Sequence, residues 1–207
     1  MYVKTALIVI DMQKGFINEA SAQCIRGAKA TVPACAAVIN HCRERDLPVF
    51  FVTRRYRADG SDVEHTRFAS WREGGRAMSP DCPEEISAGM PEEFGLCDRD
   101  YRIIKPRYSA FFHTELDLIL RRLGVNTIVL AGTTTPNCIR TTCYDGISLE
   151  YNVAVLSDCT SSNTEEIQQS NLRDMANVGA QIMTSDDFIS GREIRDTVSL
   201  ARENVER

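Results

Sequence analysis

Six short apolar runs, alternating with helix-patterned segments, constrain this chain more than any other feature. "TALIVID" (5–11) and "NTIVLAG" (126–132) are nearly continuous in aliphatic residues, as expected of strands buried on both faces. "PVFFVT" (48–53), "YRIIK" (101–105), "NVAVLSD" (152–158) and "AQIMT" (180–184) complete the set. Helical spacing runs over 29–45 (Val32, Cys35, Ala36, Ile39, Cys42), 111–124 with Gly124 as its stop, 137–150, 164–179 and 191–206. This alternation predicts an α/β fold: a three-layer, doubly wound, six-stranded and mostly parallel sheet with helices on both faces. Neither repeat nor linker interrupts the pattern, so a single domain over 1–207 is expected. The segment 54–100 is rich in Gly and Pro and lacks periodicity; a stretch that long is expected to be functional or to carry short helices of its own.

Charge and composition narrow the partners. A formal net charge of -5, with arginines dispersed along the chain, offers no footprint for nucleic acid. No apolar run approaches the roughly 20 residues that a membrane helix needs. The N-terminal apolar run is short, ends at Asp11 and lacks a small-residue cleavage site, so it reads as a strand rather than a signal peptide, and a cytoplasmic location is expected. Eight cysteines suggest disulfides only in a small secreted frame, which this chain lacks. No C-x-x-C pair occurs and the three histidines (His41, His65, His113) are scattered, which argues against structural zinc. Most of the cysteines therefore read as small buried hydrophobes. The absence of G-x-G-x-x-G after the first strand argues against a dinucleotide site, and no cofactor is implied.

Open parallel sheets bind ligands beyond the carboxyl ends of their strands. The first strand ends at Asp11, the third at Lys105, and the fourth runs through "TTTPN" to Cys138. A carboxylate, an ammonium and a thiol thus reach one rim from three strands. At the opening of a helix, unpaired N–H groups and the helix dipole are expected to favour thiolate at Cys138, below the usual thiol value of about 8.5. A carboxylate beside it can take the thiol proton and deliver it to a leaving amine, while N–H groups in the tight turn hold an oxyanion. Each residue also has a plainer use: Asp11 as a cap, Lys105 as a solvated strand end, Cys138 as packing. Their convergence at one rim favours chemistry.

The motifs "LIVIDMQKGF" and "KPRYSAFFHTELDLILRRLGVNTIVLAGTTTPNCIRTTCYDGISLEYNVAVLSDCTSS" resemble those of the isochorismatase-like cysteine hydrolases, over about residues 4–189. The resemblance implies a six-stranded parallel sheet and a triad of Asp11, Lys105 and Cys138. It also implies a cis peptide between Thr133 and Thr134 that turns the N–H of Thr134, with that of Cys138, toward an oxyanion. Members similar to nicotinamidase carry a metal site of one Asp and two His after the second strand. Here "RRYRADGSDVEHTRF" supplies Asp59, Asp62, Glu64 and His65 without a second histidine, so no metal is expected. Isochorismatase itself cleaves a vinyl ether and lacks the cysteine, so Cys138 argues against that reaction. The resemblance then points to amide-type C–N hydrolysis of a small molecule: a carboxamide, N-carbamoyl or ureido substrate. Phe16, Trp71, Tyr108 and Phe111 are candidate pocket walls, and Arg54 and Arg57 candidate holders of a substrate carboxylate. The alternatives are ether hydrolysis and a catalytically silent oligomeric binding protein. Assembly as a homodimer or homotetramer is implied by the resemblance.

Overall fold

The structure is a computed structural model that describes residues 4–197 and 199–201. Its elements follow in the order β1 (Thr5–Ile10), α1 (Lys14–Ile17), α2 (Val32–Glu44), β2 (Val49–Thr53), α3 (Phe68–Glu73), β3 (Tyr101–Ile104), α4 (Leu116–Arg122), β4 (Thr127–Thr133), α5 (Arg140–Ser148), β5 (Asn152–Ser161), α6 (Glu165–Asn177), β6 (Gln181–Met183) and α7 (Ser185–Ile189). All six strands pair in parallel in the order β3-β2-β1-β4-β5-β6. The order in which successive strands are added therefore reverses between β1 and β4, the switch point at which open α/β sheets place their ligands.

The alternation of side chains along the strands divides the core into two layers. Ala6, Ile8 and Ile10 of β1 face one side with Leu116 and Leu120 of α4, Cys143 of α5 and Leu172 of α6. Leu7 and Val9 face the other, with Cys35, Val38 and Ile39 of α2 and Phe188 of α7. Each fully buried aliphatic side chain contributes about 1.5–3 kcal/mol relative to exposure. The near-continuous apolar runs of β1 and β4 thus follow from their central position, covered on both faces. At the sheet edge, β3 keeps Arg102 and Ile104 exposed and buries Ile103.

The segment between β2 and β3 forms a cap with a small core of its own, built from Tyr56, Val63, Trp71, Met78 and Ile86 against Phe16. It carries α3 and two short 3-10 turns. Helix α4 begins at Leu116 rather than near 111, because His113 takes a left-handed backbone (φ 51) that interrupts the helical pattern. Its end is as expected: Gly124 has φ +68, and the N–H of Val125 returns to the carbonyl of Leu120. The short α7 lies where no helix is expected; Thr184 and Asp187 form a reciprocal capping box at its start. Of the terminal helix expected over 191–206, residues 192–196 are not helical, Thr197 and residues 199–201 are, and the remainder lies outside the described residues. No described helix is long and apolar enough to cross a membrane.

Candidate active site

Asp11 follows β1 directly, and its N–H bonds the carbonyl of Val52 at 2.9 Å, so the residue is fixed to the end of β2. Its φ of 53 is left-handed, a conformation Asp tolerates better than most residues and one that gathers at functional sites. Lys105 leaves β3 in the same way, its N–H on the carbonyl of Thr53 at 2.9 Å. Its side chain crosses the end of β2 to reach Asp11. Nζ lies 2.8 Å from Oδ2 of Asp11 and 3.4 Å from Sγ of Cys138, and donates to the carbonyl of Arg107 at 3.0 Å. All three triad candidates are buried.

Cys138 is delivered by an unusual turn. Gly132 has φ +118, and a Cβ there would meet the carbonyl oxygen of Ile10 at 2.0 Å, so only glycine permits β4 to lie this close to β1. The β4–β5 register shifts between Leu130 and Gly132, and the Thr133–Thr134 peptide is cis. Strand β5 runs on to Ser161, beyond its expected end at 158, and holds the turn. Ser161 Oγ donates to Thr133 Oγ1 at 2.9 Å, and the Ser161 carbonyl accepts from the hydroxyls of Thr134 and Thr135 at 3.2 and 2.9 Å. The threonines of "TTTPN" thus serve the turn rather than solvent. Residues 135–139 then form one π-helical turn that leads into α5, a feature common at functional sites. The carbonyl of Cys138 accepts from Thr142 Oγ1 at 2.7 Å, fixing the residue from the helix side. No hydrogen bond takes the N–H of Thr134 among the described residues.

The direction in which the site moves the thiol differs from the expectation. Burial pushes the Cys138 thiol up, and the Asp11 carboxylate pushes it further; Lys105 and Arg54 pull it down without reversing the direction. Desolvation is the largest of these effects, and it acts against the lowering that a helix opening gives a thiol.

A fourth charged group stands at this rim. Arg54 follows β2, between the strands that supply Asp11 and Lys105, and is fully buried. Its Nε is 3.9 Å from Oδ2 of Asp11; Nη1 bonds Glu64 and, at 2.9 Å, the hydroxyl of Tyr56, which donates to Glu64 at 3.0 Å. Burial alone would raise Glu64, but Arg54 holds its carboxyl below the usual carboxylate range. The backbone of Arg54 is clamped by Gln13: the amide donates to the Arg54 carbonyl at 2.8 Å and accepts its N–H at 2.7 Å. Gln13 escapes sequence reasoning, and Glu64 is weighed there only as a metal ligand, because their partner Arg54 lies 41 and 10 residues away in a stretch without periodicity. For Gln13 the written signal is polarity beside a strand end.

The remaining candidates separate. Tyr108 lies under the guanidinium of Arg54, 5.1 Å from its ring centre, and Arg67 stands 5.2 Å from the same ring. Phe16 and Trp71 belong to the cap core, where the Trp71 indole donates to the carbonyl of Ala77 at 2.9 Å. Phe111 stacks on Tyr151, the residue before β5. Arg57 is a surface residue, 70% exposed and 3.6 Å from Asp59. Asp59 and Asp62 accept from Ser61 and the N–H of Arg57, Glu64 from Arg54, and His65 is exposed, so the four acidic and imidazole groups of this segment go separate ways. Among the described residues no group of three His, Cys, Asp or Glu gathers as a metal would require. All eight cysteines are free thiols, and five are buried.

The isochorismatase domain model matches residues 5–187, which spans the sheet and every group described above. The chain belongs to the isochorismatase family of hydrolases. Within this family it is 38% identical over 182 residues to a probable inactive nicotinamidase of Arabidopsis thaliana, covering 87% of this chain and 92% of the relative. Among solved structures it is similar to an isochorismatase family protein of Desulfovibrio vulgaris (TM-score 0.85, 35% identity, 91% and 98% of the two chains). It is also similar to the N-carbamoylsarcosine amidase of Thermoplasma acidophilum (TM-score 0.72, 29% identity, 89% and 98%). The family thus includes amidohydrolases acting on C–N bonds.

Proposed function

We propose that this isochorismatase-family chain is a cysteine hydrolase of small amide-type C–N bonds, with Asp11, Lys105 and Cys138 as its triad. The observation that carries the reading is the contact of the Lys105 ammonium with both the Asp11 carboxylate and the Cys138 sulfur in one buried site. An acid–base pair, a nucleophile and an electrostatic anchor then share one centre, as covalent catalysis requires.

The chemistry follows from the contacts at this centre. The sulfur attacks the substrate carbonyl as the thiol proton passes to the Asp11 carboxylate. Lys105 stabilises the sulfur while it carries negative charge. The N–H groups of Thr134 and Cys138 receive the developing oxyanion. The C–N bond then breaks, Asp11 returns the proton to the departing nitrogen, and a thioester remains on Cys138. Water, deprotonated by Asp11, adds to the thioester; the C–S bond breaks and the proton returns to sulfur. The sum is amide plus water giving acid plus amine or ammonia. Dimer or tetramer formation accompanies this reading, and sedimentation reports it.

A panel of carboxamides, N-carbamoyl amino acids and ureido acids, assayed for released ammonia or amine, tests the proposal. Turnover by the natural chain and none by Cys138→Ala is the expected result; equal turnover by both would remove the covalent route. A silent binding protein is the second reading, favoured by the name of the Arabidopsis relative. An unreacted panel, with ligands that bind but stay intact, would support it.

A further inference from the structure

Oε1 of Gln168 and Oγ of Ser162 have no hydrogen-bond partner among the described residues, although each residue is only 7% exposed. Folded proteins rarely leave buried polar atoms so. Both residues line one cleft of about 490 Å³, bordered by none of Asp11, Lys105 and Cys138. Its walls are the last residues of β5, the start of α6 and the turn of residues 26–31 that leads into α2. The N–H of Gly27 on the Ser162 carbonyl and that of Arg26 on Asn163 Oδ1, both at 3.1 Å, join these walls. The volume falls within the range of small-molecule sites.

The lining calls for a donor. The Gln168 amide nitrogen is taken by the carbonyl and hydroxyl of Thr160 at 3.2 and 3.1 Å, which orients the side chain and leaves Oε1 as a free acceptor. Thr31, Ser157 and Ser161 donate their hydroxyl hydrogens to the carbonyls of Ala28 and Met183 and to Thr133 Oγ1, so they present lone pairs. The charge points the same way. Asp158 and Glu165 face Arg26, which leaves one negative charge over, and Glu165 and Glu166 offset the positive end of α6. An ammonium group matches both the hydrogen bonds and the charge. A neutral polyol matches only the first, and an anion neither.

We propose that this cleft binds a small primary amine or ammonium ion, and that its occupant steadies the turn carrying Cys138. The link is Ser161, which lines the cleft and also holds the hydroxyls of Thr133, Thr134 and Thr135. The amine released by amide hydrolysis has this chemistry; that source alone rests on the hydrolase reading, whereas the site does not.

Calorimetry on the natural chain tests the site without turnover, with ammonium chloride, ethanolamine and putrescine as probes and sodium chloride and glycerol as controls. At least one amine should bind at millimolar concentration, and the controls should not. Gln168→Met and Ser162→Ala should each weaken that binding about tenfold, the worth of a hydrogen bond to a charged group, while Asp11→Asn leaves it unchanged. Should Gln168→Met fail to fold, Ser162→Ala still decides, because its hydroxyl holds no other part of the chain. A ligand of the closed form opposes the opening that exposes a buried thiol. An amine concentration that saturates only the natural chain should therefore slow iodoacetamide labelling of the Cys138 peptide there and not in Ser162→Ala. No amine binding, glycerol binding as tightly, or binding lost in Asp11→Asn rather than in the cleft variants would overturn the site. An unaltered labelling rate with the cleft filled would overturn its link to the turn. Amine binding by a chain that turns over no amide would uphold the site and remove the hydrolase reading instead.

Discussion

Nζ of Lys105 lies 3.4 Å from Sγ of Cys138, although β2 and β1 separate the strands that deliver them. The lysine bridges that gap because its four-carbon stem is long and Asp11, at the end of β1, draws the ammonium inward. The pair with Asp11 is fully buried, so each charge depends on the other.

Lys105→Met should accordingly destabilise the fold as well as stop turnover. Removing one partner of a buried ion pair costs about 3–5 kcal/mol, and Arg54 at 3.9 Å compensates Asp11 only in part. Urea unfolding of the variant checks this; an unchanged midpoint would mean that the two groups do not pair in solution.

Asp11→Asn should separate nucleophilicity from catalysis. The carboxylate raises the Cys138 thiol, so its loss lowers the thiol toward the ordinary range while leaving Lys105 and Arg54 in place. Alkylation by iodoacetamide, followed across pH, should show its midpoint at lower pH in Asp11→Asn than in the natural chain, even as amide turnover vanishes. A midpoint that moves upward would contradict the charge arrangement described here.

The sheet and the three rim residues were legible because both depend on local pattern. Long apolar runs name the strands, and the residue that ends each run falls at the carboxyl rim by topology, which brings Asp11, Lys105 and Cys138 together. The burial of the thiol was not legible: a helix opening and a buried site push it in opposite directions, and only tertiary structure shows that Cys138 is enclosed. Glu64 and Tyr56 sit in an aperiodic cap, and nothing local tells Arg54, which binds them, from exposed Arg57. The stack of Phe111 on Tyr151 was not legible either, because the two residues are 40 apart and the left-handed His113 breaks the helical pattern that begins at 111.

Acid should expose the Arg54–Glu64 pair. The folded Glu64 carboxyl lies below the value of about 4.3 expected unfolded. Its contribution is therefore present above that value and is lost as pH falls through the folded one. Glu64→Gln should cost about 3–5 kcal/mol at pH 7 by leaving Arg54 uncompensated. The stability gap between the two proteins should close as acid protonates the natural residue. Denaturant titrations at neutral pH and below pH 4 give the comparison, and a gap that stays constant would contradict it.

Rapid-quench mass spectrometry, intact and after digestion, during turnover of a reactive amide decides the covalent route. An adduct of the acyl mass is expected on the peptide carrying Cys138, formed as ammonia or amine is released and gone when substrate is spent. Product formation with no adduct at any time, or an adduct on another cysteine, would contradict it.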